Sequence, residues 1–313
     1  MMKFALALIA CLSLQAAAQS TPPWSGGRND PAPQGFVFHV PDIDNMPDLH
    51  GDPIDAKLVL FIGGNQFFVL PKLIAGFEKL HPELAGHIFY ETLPPGVLVK
   101  QMQNGNTVTL GNLTIKITPD IFEAGAHGVS NLASKGRVEK SIDYVTNDLE
   151  IMVAAGNPKH IATLNDLAHP GVTLSMPNPE FEGVARQIEA SLTKAGGPAL
   201  ETAVYKTGVA NGTTVLTQIH HRQTAMRILR KQSDAGVVWS SEVEFQQKIG
   251  NPLEGVKIPA KYNTTAVYSA ALLKDAPHRE AALAWLAYLK SPEAQAAYHE
   301  FGFRSISSGV EQK

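Results

Sequence analysis

Apolar residues run unbroken over 58–62 (LVLFI), stop at Gly63-Gly64, and recur at Leu73, Ile74, Phe77 and Leu80. The run predicts a buried strand, and the later spacing predicts a helix with one apolar face. Pro71 suits that helix's first turn, where its missing N–H would be unpaired anyway. The glycines let the backbone turn tightly and approach a neighbour closely. A strand, a glycine turn and a helix together present free N–H groups and a positive helix end, a setting for anions. The plainer alternative is an ordinary corner of an α/β protein.

The pattern recurs along the chain. Residues 87–90 (HIFY) predict a second strand, 92–96 a turn and 97–102 a helix. Residues 104–111 form a polar hairpin or loop before a strand over 113–117. A buried strand is expected over 119–122 and a helix over 126–134. Strands follow over 148–155, 171–175, 215–219 and 236–239, and short helices over 161–167 and 226–231. The turn MPNPEFEG leads into a helix through Ile188 and Leu192. Strands over 256–258 and 265–273 precede a helix over 277–290 with Leu283, Leu286 and Leu289 inward. Ser291-Pro292-Glu293 starts a last helix with an N-cap serine, a proline and an acidic first turn, and Gly302 stops it. Such alternation predicts an α/β protein with largely parallel sheet, long enough for two lobes, with ligands outside the carboxyl ends of the strands.

The amino terminus departs from this pattern. Lys3, an apolar run over 4–14 and Ala16-Ala17-Ala18 predict a signal peptide over 1–18, cut before Gln19. Within it, LIAC is a competing lipobox that would make Cys11 a lipid anchor. Cys11 is the only cysteine, so the exported chain would carry no disulfide or thiolate ligand. Export without disulfides fits the bacterial periplasm. Residues 19–54 are rich in Pro, Gly, Asp and Asn and lack periodicity, which predicts a lead-in that drapes over the domain or stays mobile. Its His39, Asp42, Asp44, Asp48, His50 and Asp52 are metal-ligand types, though a solvated acidic linker is the commoner source of such a run. A net charge of −3 with interspersed signs argues against a nucleic-acid partner.

Four stretches carry a family resemblance. LVLFIGGN, LVKQ with PDIFEAG, SDAGVVWSSE, and AVYSAALLKDAPHREAALAWLAYLKSPEAQAAYHEFGF resemble type II periplasmic binding proteins, the soluble receptors of bacterial ABC importers. The molybdate/tungstate-binding branch is the most similar. The resemblance covers residues 57 to about 304 and implies two Rossmann-like α/β lobes joined by two crossover strands, near 149–153 and 266–270. Lobe one would be 55–147 plus 266–313, and lobe two 148–265. It also implies hinge closure over a small anion, an inner-membrane ABC permease as partner, no cofactor and no metal; a monomer is expected. The ligand residues so implied are Gly64, Asn65 and Gln66 in the first turn, Thr92 before the second, and Asn178, Gly183, Thr213, Arg222, Trp239 and Ser240 on lobe two. Three departures stand out. Asn65 replaces a serine, Pro94-Pro95-Gly96 replaces further serines, and Trp239 replaces a tyrosine, leaving only an indole N–H donor.

His220-His221-Arg222 falls outside that pattern. Arg222 is suited to clamp a carboxylate or oxyanion bidentately; the plainer alternative is that the run pairs with acidic residues such as Asp234 or Glu242 at a lobe surface. Two adjacent histidines rarely face one way, which argues against paired metal ligation. Beside the receptor stands a non-transport sensor that docks on a membrane kinase. A metal-dependent hydrolase using some of the eleven histidines is the remote alternative. The chain has no HExxH, GxSxG or Walker motif.

Overall fold

A computed structural model of the chain describes residues 38–39, 47–110, 113–180, 182–218 and 220–306. The expected signal peptide, its cleavage site, Cys11, Asp42 and Asp44 lie outside them.

In chain order the strands are β1 (Phe38–His39), β2 (Pro47–His50), β3 (Leu58–Ile62), β4 (Ile88–Glu91), β5 (Thr107–Leu110), β6 (Leu113–Lys116), β7 (Ile121–Gly125) and β8 (Val138–Asn147). They continue as β9 (Leu149–Ala154), β10 (Leu174–Met176), β11 (Thr214–Leu216), β12 (Ala235–Trp239), β13 (Leu253–Lys257), β14 (Ala266–Leu273) and β15 (Arg304–Ser305). The helices are α1 (Leu70–Leu80), α2 (Pro95–Gln103), α3 (Ala126–Ser134), α4 (Gly183–Thr202), α5 (Gly208–Asn211), α6 (Gln223–Leu229), α7 (Ser240–Lys248), α8 (Arg279–Leu289) and α9 (Pro292–Glu300). Helix α4 kinks at Gly196-Gly197, ahead of Pro198.

Among the described residues an eight-stranded sheet runs β1-β2-β4-β3-β7-β14-β8-β15, a five-stranded sheet runs β11-β10-β12-β9-β13, and β5 and β6 form a separate hairpin. The chain leaves the first sheet at Asp148, between β8 and β9, and returns to it from β13 through β14. The α/β class is thus present, but neither sheet is purely parallel. β3, β4 and β7 run parallel, as do β10, β11 and β12. By contrast, β14 is antiparallel to β7 and β8, and β9 is antiparallel to β12 and β13. The strands next to the crossings break the expectation of parallel sheet, because a strand entering from the other sheet runs against its new neighbours.

The opening unit forms because its runs are buried. β3 is buried at every position, and Leu73 and Phe77 of α1 are fully enclosed in the core with Leu58, Leu60 and Trp285. Each such side chain contributes about 1.5–3 kcal/mol through burial. Leu80, expected on that inner face, is 57% exposed at the end of the helix. The Ser291 hydroxyl accepts the Ala294 N–H as the expected N-cap of α9. Four strands have no counterpart in the periodicity, the two-residue β1 and β15 among them. β8 begins with Glu139-Lys140-Ser141, which face solvent and hide the alternation. β2 comes from the segment expected to drape or stay mobile, yet it pairs with β4 and buries Asp48 and Leu49.

Gly76 tests the packing of α1. Helix propensity alone favours alanine there by about 1 kcal/mol. An added Cβ would lie 2.3 Å from the Tyr288 hydroxyl. Gly76→Ala is therefore expected to lower the urea midpoint, at a cost of about 1–3 kcal/mol. An unchanged or raised midpoint would show that α8 yields without penalty.

Candidate functional site

A cavity of about 550 Å³ opens where the carboxyl ends of strands from both sheets meet. Gly63, Gly64 and Asn65 line it from the turn after β3, Pro94 and Pro95 from the start of α2, and Gly125 to Gly128 from the start of α3. On the other side stand Glu182, Gly183 and Val184 at the start of α4, His220 and His221 before α6, and Trp239 before α7. Thr265 to Tyr268 of the returning crossover close the wall between them. Every helix named here begins at this cavity. Their first-turn N–H groups have no partner within the helix, and their dipoles are positive at that end. Gly183 is the first residue of α4, and nothing lies within 4 Å of where its Cβ would be. The start of α2 offers less, because Pro94 and Pro95 have no N–H.

Charge behind the lobe-two wall is tightly paired. His221 Nδ1 is 2.7 Å from Glu182, and its Nε2 is 2.9 Å from Glu242. Glu182 also accepts the Asn178 N–H at 2.9 Å and the Thr217 hydroxyl. Burial opposes a charge on His221, but the Glu242 and Glu182 carboxylates outweigh it and raise its pKa to about 10. The wall therefore carries an imidazolium between two carboxylates. At the end of β4 in the first sheet, burial pushes the Glu91 carboxyl up to about 8, with the neighbouring Asp48 charge adding to the rise. Among the described residues no group of three His, Cys, Asp or Glu side chains is placed to hold a metal ion.

The matching family model is that of the bacterial extracellular solute-binding proteins, and it spans residues 58–304. The chain belongs to this family. It is 26% identical over 272 residues to a sulfate-binding protein of Synechococcus elongatus, covering 83% of this chain and 76% of that one. It is 24% identical over 213 residues to the molybdate-binding protein ModA of Mycobacterium bovis, covering 67% of this chain and 74% of the relative. The solved periplasmic molybdate-binding protein of Azotobacter vinelandii superposes with a TM-score of 0.64 at 18% identity, covering 80% of this chain and 100% of that one. The fold is that of the type II periplasmic binding proteins, as the motifs imply.

In this solute-binding protein the ten sequence-expected residues separate. Gly64, Asn65, Gly183 and Trp239 line the cavity. Asn65 donates to the Tyr268 hydroxyl at 2.6 Å, and Trp239 meets the Tyr268 ring edge-on at 5.8 Å. Gly64 is small for a different reason than ligand access. A Cβ there would meet the Thr92 carbonyl at 2.8 Å and His220 Nδ1 at 2.9 Å.

The other six stand off the wall. Gln66 is fully buried behind the turn, donating to the Tyr144 hydroxyl and accepting from Tyr298. Thr92 is buried, and its hydroxyl has no hydrogen-bond partner among the described residues. Asn178 spends its N–H on Glu182 and Thr217, and Thr213 pairs with Asn211. Ser240 donates to Asn147 at 2.9 Å. Arg222 is turned away from the cavity, paired with Asp48 and stacked over the Phe67 ring at 4.6 Å. Of the acids expected to pair with this run, Glu242 does so through His221, while Arg222 meets Asp48, which β2 brings against it.

Tyr268, Glu182 and the 125–128 turn are wall residues that the motif reading passed over. The last carried a signal, for GAHG follows a buried strand and opens a helix, as GGN does.

His221 supplies a pH test. Its folded-state pKa lies above that of a free imidazole, so its contribution is complete below about pH 6.5. It is lost as pH rises toward about 10. Urea denaturation should show wild type losing stability between those limits. His221→Asn should remove that slope and cost about 3–5 kcal/mol at neutral pH, because two buried carboxylates lose their shared cation. Parallel slopes in both proteins would rule out a charged His221.

Proposed function

We propose that this protein is a periplasmic receptor that captures a tetrahedral oxyanion between its lobes and delivers it to an ABC permease in the inner membrane. The observation that carries this reading is the cavity lined by the first turns of α3 and α4, the glycine turn after β3 and the residue before α7. N–H groups and dipoles fixed in advance bind an anion without reorganising, and they need no formal charge. Dipoles matter more here than hydroxyls, since Asn65 and Pro94-Pro95 stand where the resemblance leads one to expect serines. The relatives named for sulfate and for molybdate support the class, and the expected signal peptide supports export. Molybdate, tungstate and sulfate are the members to test first.

Trp239 makes the binding measurable. It is 5% exposed, lines the cavity and sits against Tyr268 of the returning crossover. Closure on an anion would remove the remaining water from the indole. A panel of molybdate, tungstate, sulfate, phosphate and small carboxylates is expected to contain a stabilising member. At 100 times its dissociation constant that member should add about 2.7 kcal/mol. The melting temperature should rise by about 2–8 °C. The same anion should change tryptophan fluorescence in wild type and not in Trp239→Phe. A melt unmoved by the whole panel would sink the oxyanion reading. A full fluorescence change in Trp239→Phe would remove Trp239 from the site.

A further inference from the structure

The segment ahead of the family match reaches into the site. Asp48 lies in β2, ten positions before residue 58, where the matching span begins. Its carboxylate is 3.0 Å from His220 Nε2 and is also bonded to the Arg222 guanidinium, with all three side chains at most 4% exposed. Both partners belong to the second lobe, where they precede α6, a helix packed on β9, β10 and β12. Their backbone is fixed there, because the His220 and His221 carbonyls accept the Gln223 and Thr224 N–H groups. Asp48 is fixed as well, since its carbonyl accepts the Thr92 N–H beside β4. The contact therefore joins a strand of the first sheet to a segment packed on the second.

Position gives the pair its effect. In the first sheet β2 is separated from β14, the returning crossover, by β4, β3 and β7. Four inter-strand spacings put it about 19 Å from that crossover. The crossings hold the lobes at one end of the cleft, and Asp48 holds them at the other. The same carboxylate fixes the His220 ring, whose opposite edge lies against Gly64 in the cavity wall.

We propose that Asp48 is a positioning residue of the binding site: it fastens the lobes at the end of the cleft away from the crossings and sets His220 in the cavity wall. The fastening follows from the structure alone, and the effect on affinity rests on the oxyanion reading above.

Small-angle scattering of the ligand-free full chain tests the fastening. Asp48→Asn should have a larger radius of gyration than wild type, and Asp48→Glu, which keeps the carboxylate, should recover most of the difference. Calorimetric titration with molybdate and with sulfate tests the effect on binding. If opening leaves about a tenth of the molecules in the competent state, the dissociation constant rises about tenfold. Unchanged scattering in a folded Asp48→Asn overturns the fastening. Unchanged affinity in that variant, where wild type binds either probe, overturns the role in binding. Should wild type bind neither probe, the oxyanion reading loses its first candidates while the scattering still decides on Asp48. Should Asp48→Asn not fold, Arg222→Lys breaks the same fork from the other side and is judged by the same measurements.

Discussion

Behind the glycine turn after β3, one fully buried carboxylate ties five parts of the chain together. Glu123 of β7 accepts the Trp285 indole N–H at 2.6 Å on one oxygen and the Tyr144 hydroxyl at 2.9 Å on the other. Tyr144 in turn accepts from Gln66 at 2.8 Å, and Gln66 accepts from Tyr298 at 2.9 Å. A central strand, the crossing strand β8, the glycine turn and helices α8 and α9 thus share one polar chain. An unpaired polar group at such depth is expensive, so the chain tolerates only one arrangement of these elements. Burial raises the Glu123 pKa to about 7 even with these donors in place. The turn that presents Gly64 and Asn65 to the cavity is held from behind by this network.

In front of the turn, the lobes meet through two different kinds of contact. Phe67 and Phe68 of the first lobe stack with Phe245 of α7, and Phe68 also touches Phe301 and Phe303. Aromatic packing of this kind is broad and adjusts easily to small sliding motions. The Asp48 fork to His220 and Arg222 is narrow and directional, because a guanidinium and a carboxylate bond well in few orientations.

The carboxylates beside the cavity have basic partners. Glu182 and Glu242 share the His221 ring between them, and Asp48 is paired with Arg222 and His220.

Much of the fold was legible because buried runs, glycine turns and helix starts are local patterns with local consequences. LVLFI followed by two glycines makes the β3 turn wherever it lies in a protein, and Ser291-Pro292-Glu293 starts α9 by its own hydrogen bond. Four of the ten expected site residues line the cavity for the same reason: they sit in strand-to-helix turns. Gln66, Thr92 and Ser240 neighbour such turns, and an offset of one or two residues leaves each off the cavity wall. β8 was hidden because its first half faces solvent, and β2 because a short edge strand needs only a partner. The pairing of Asp48 with Arg222 lay beyond any local pattern. Those residues are 174 positions apart. Sheet order and the two crossings alone bring them together, which is why tertiary structure decided what the aperiodic lead-in does.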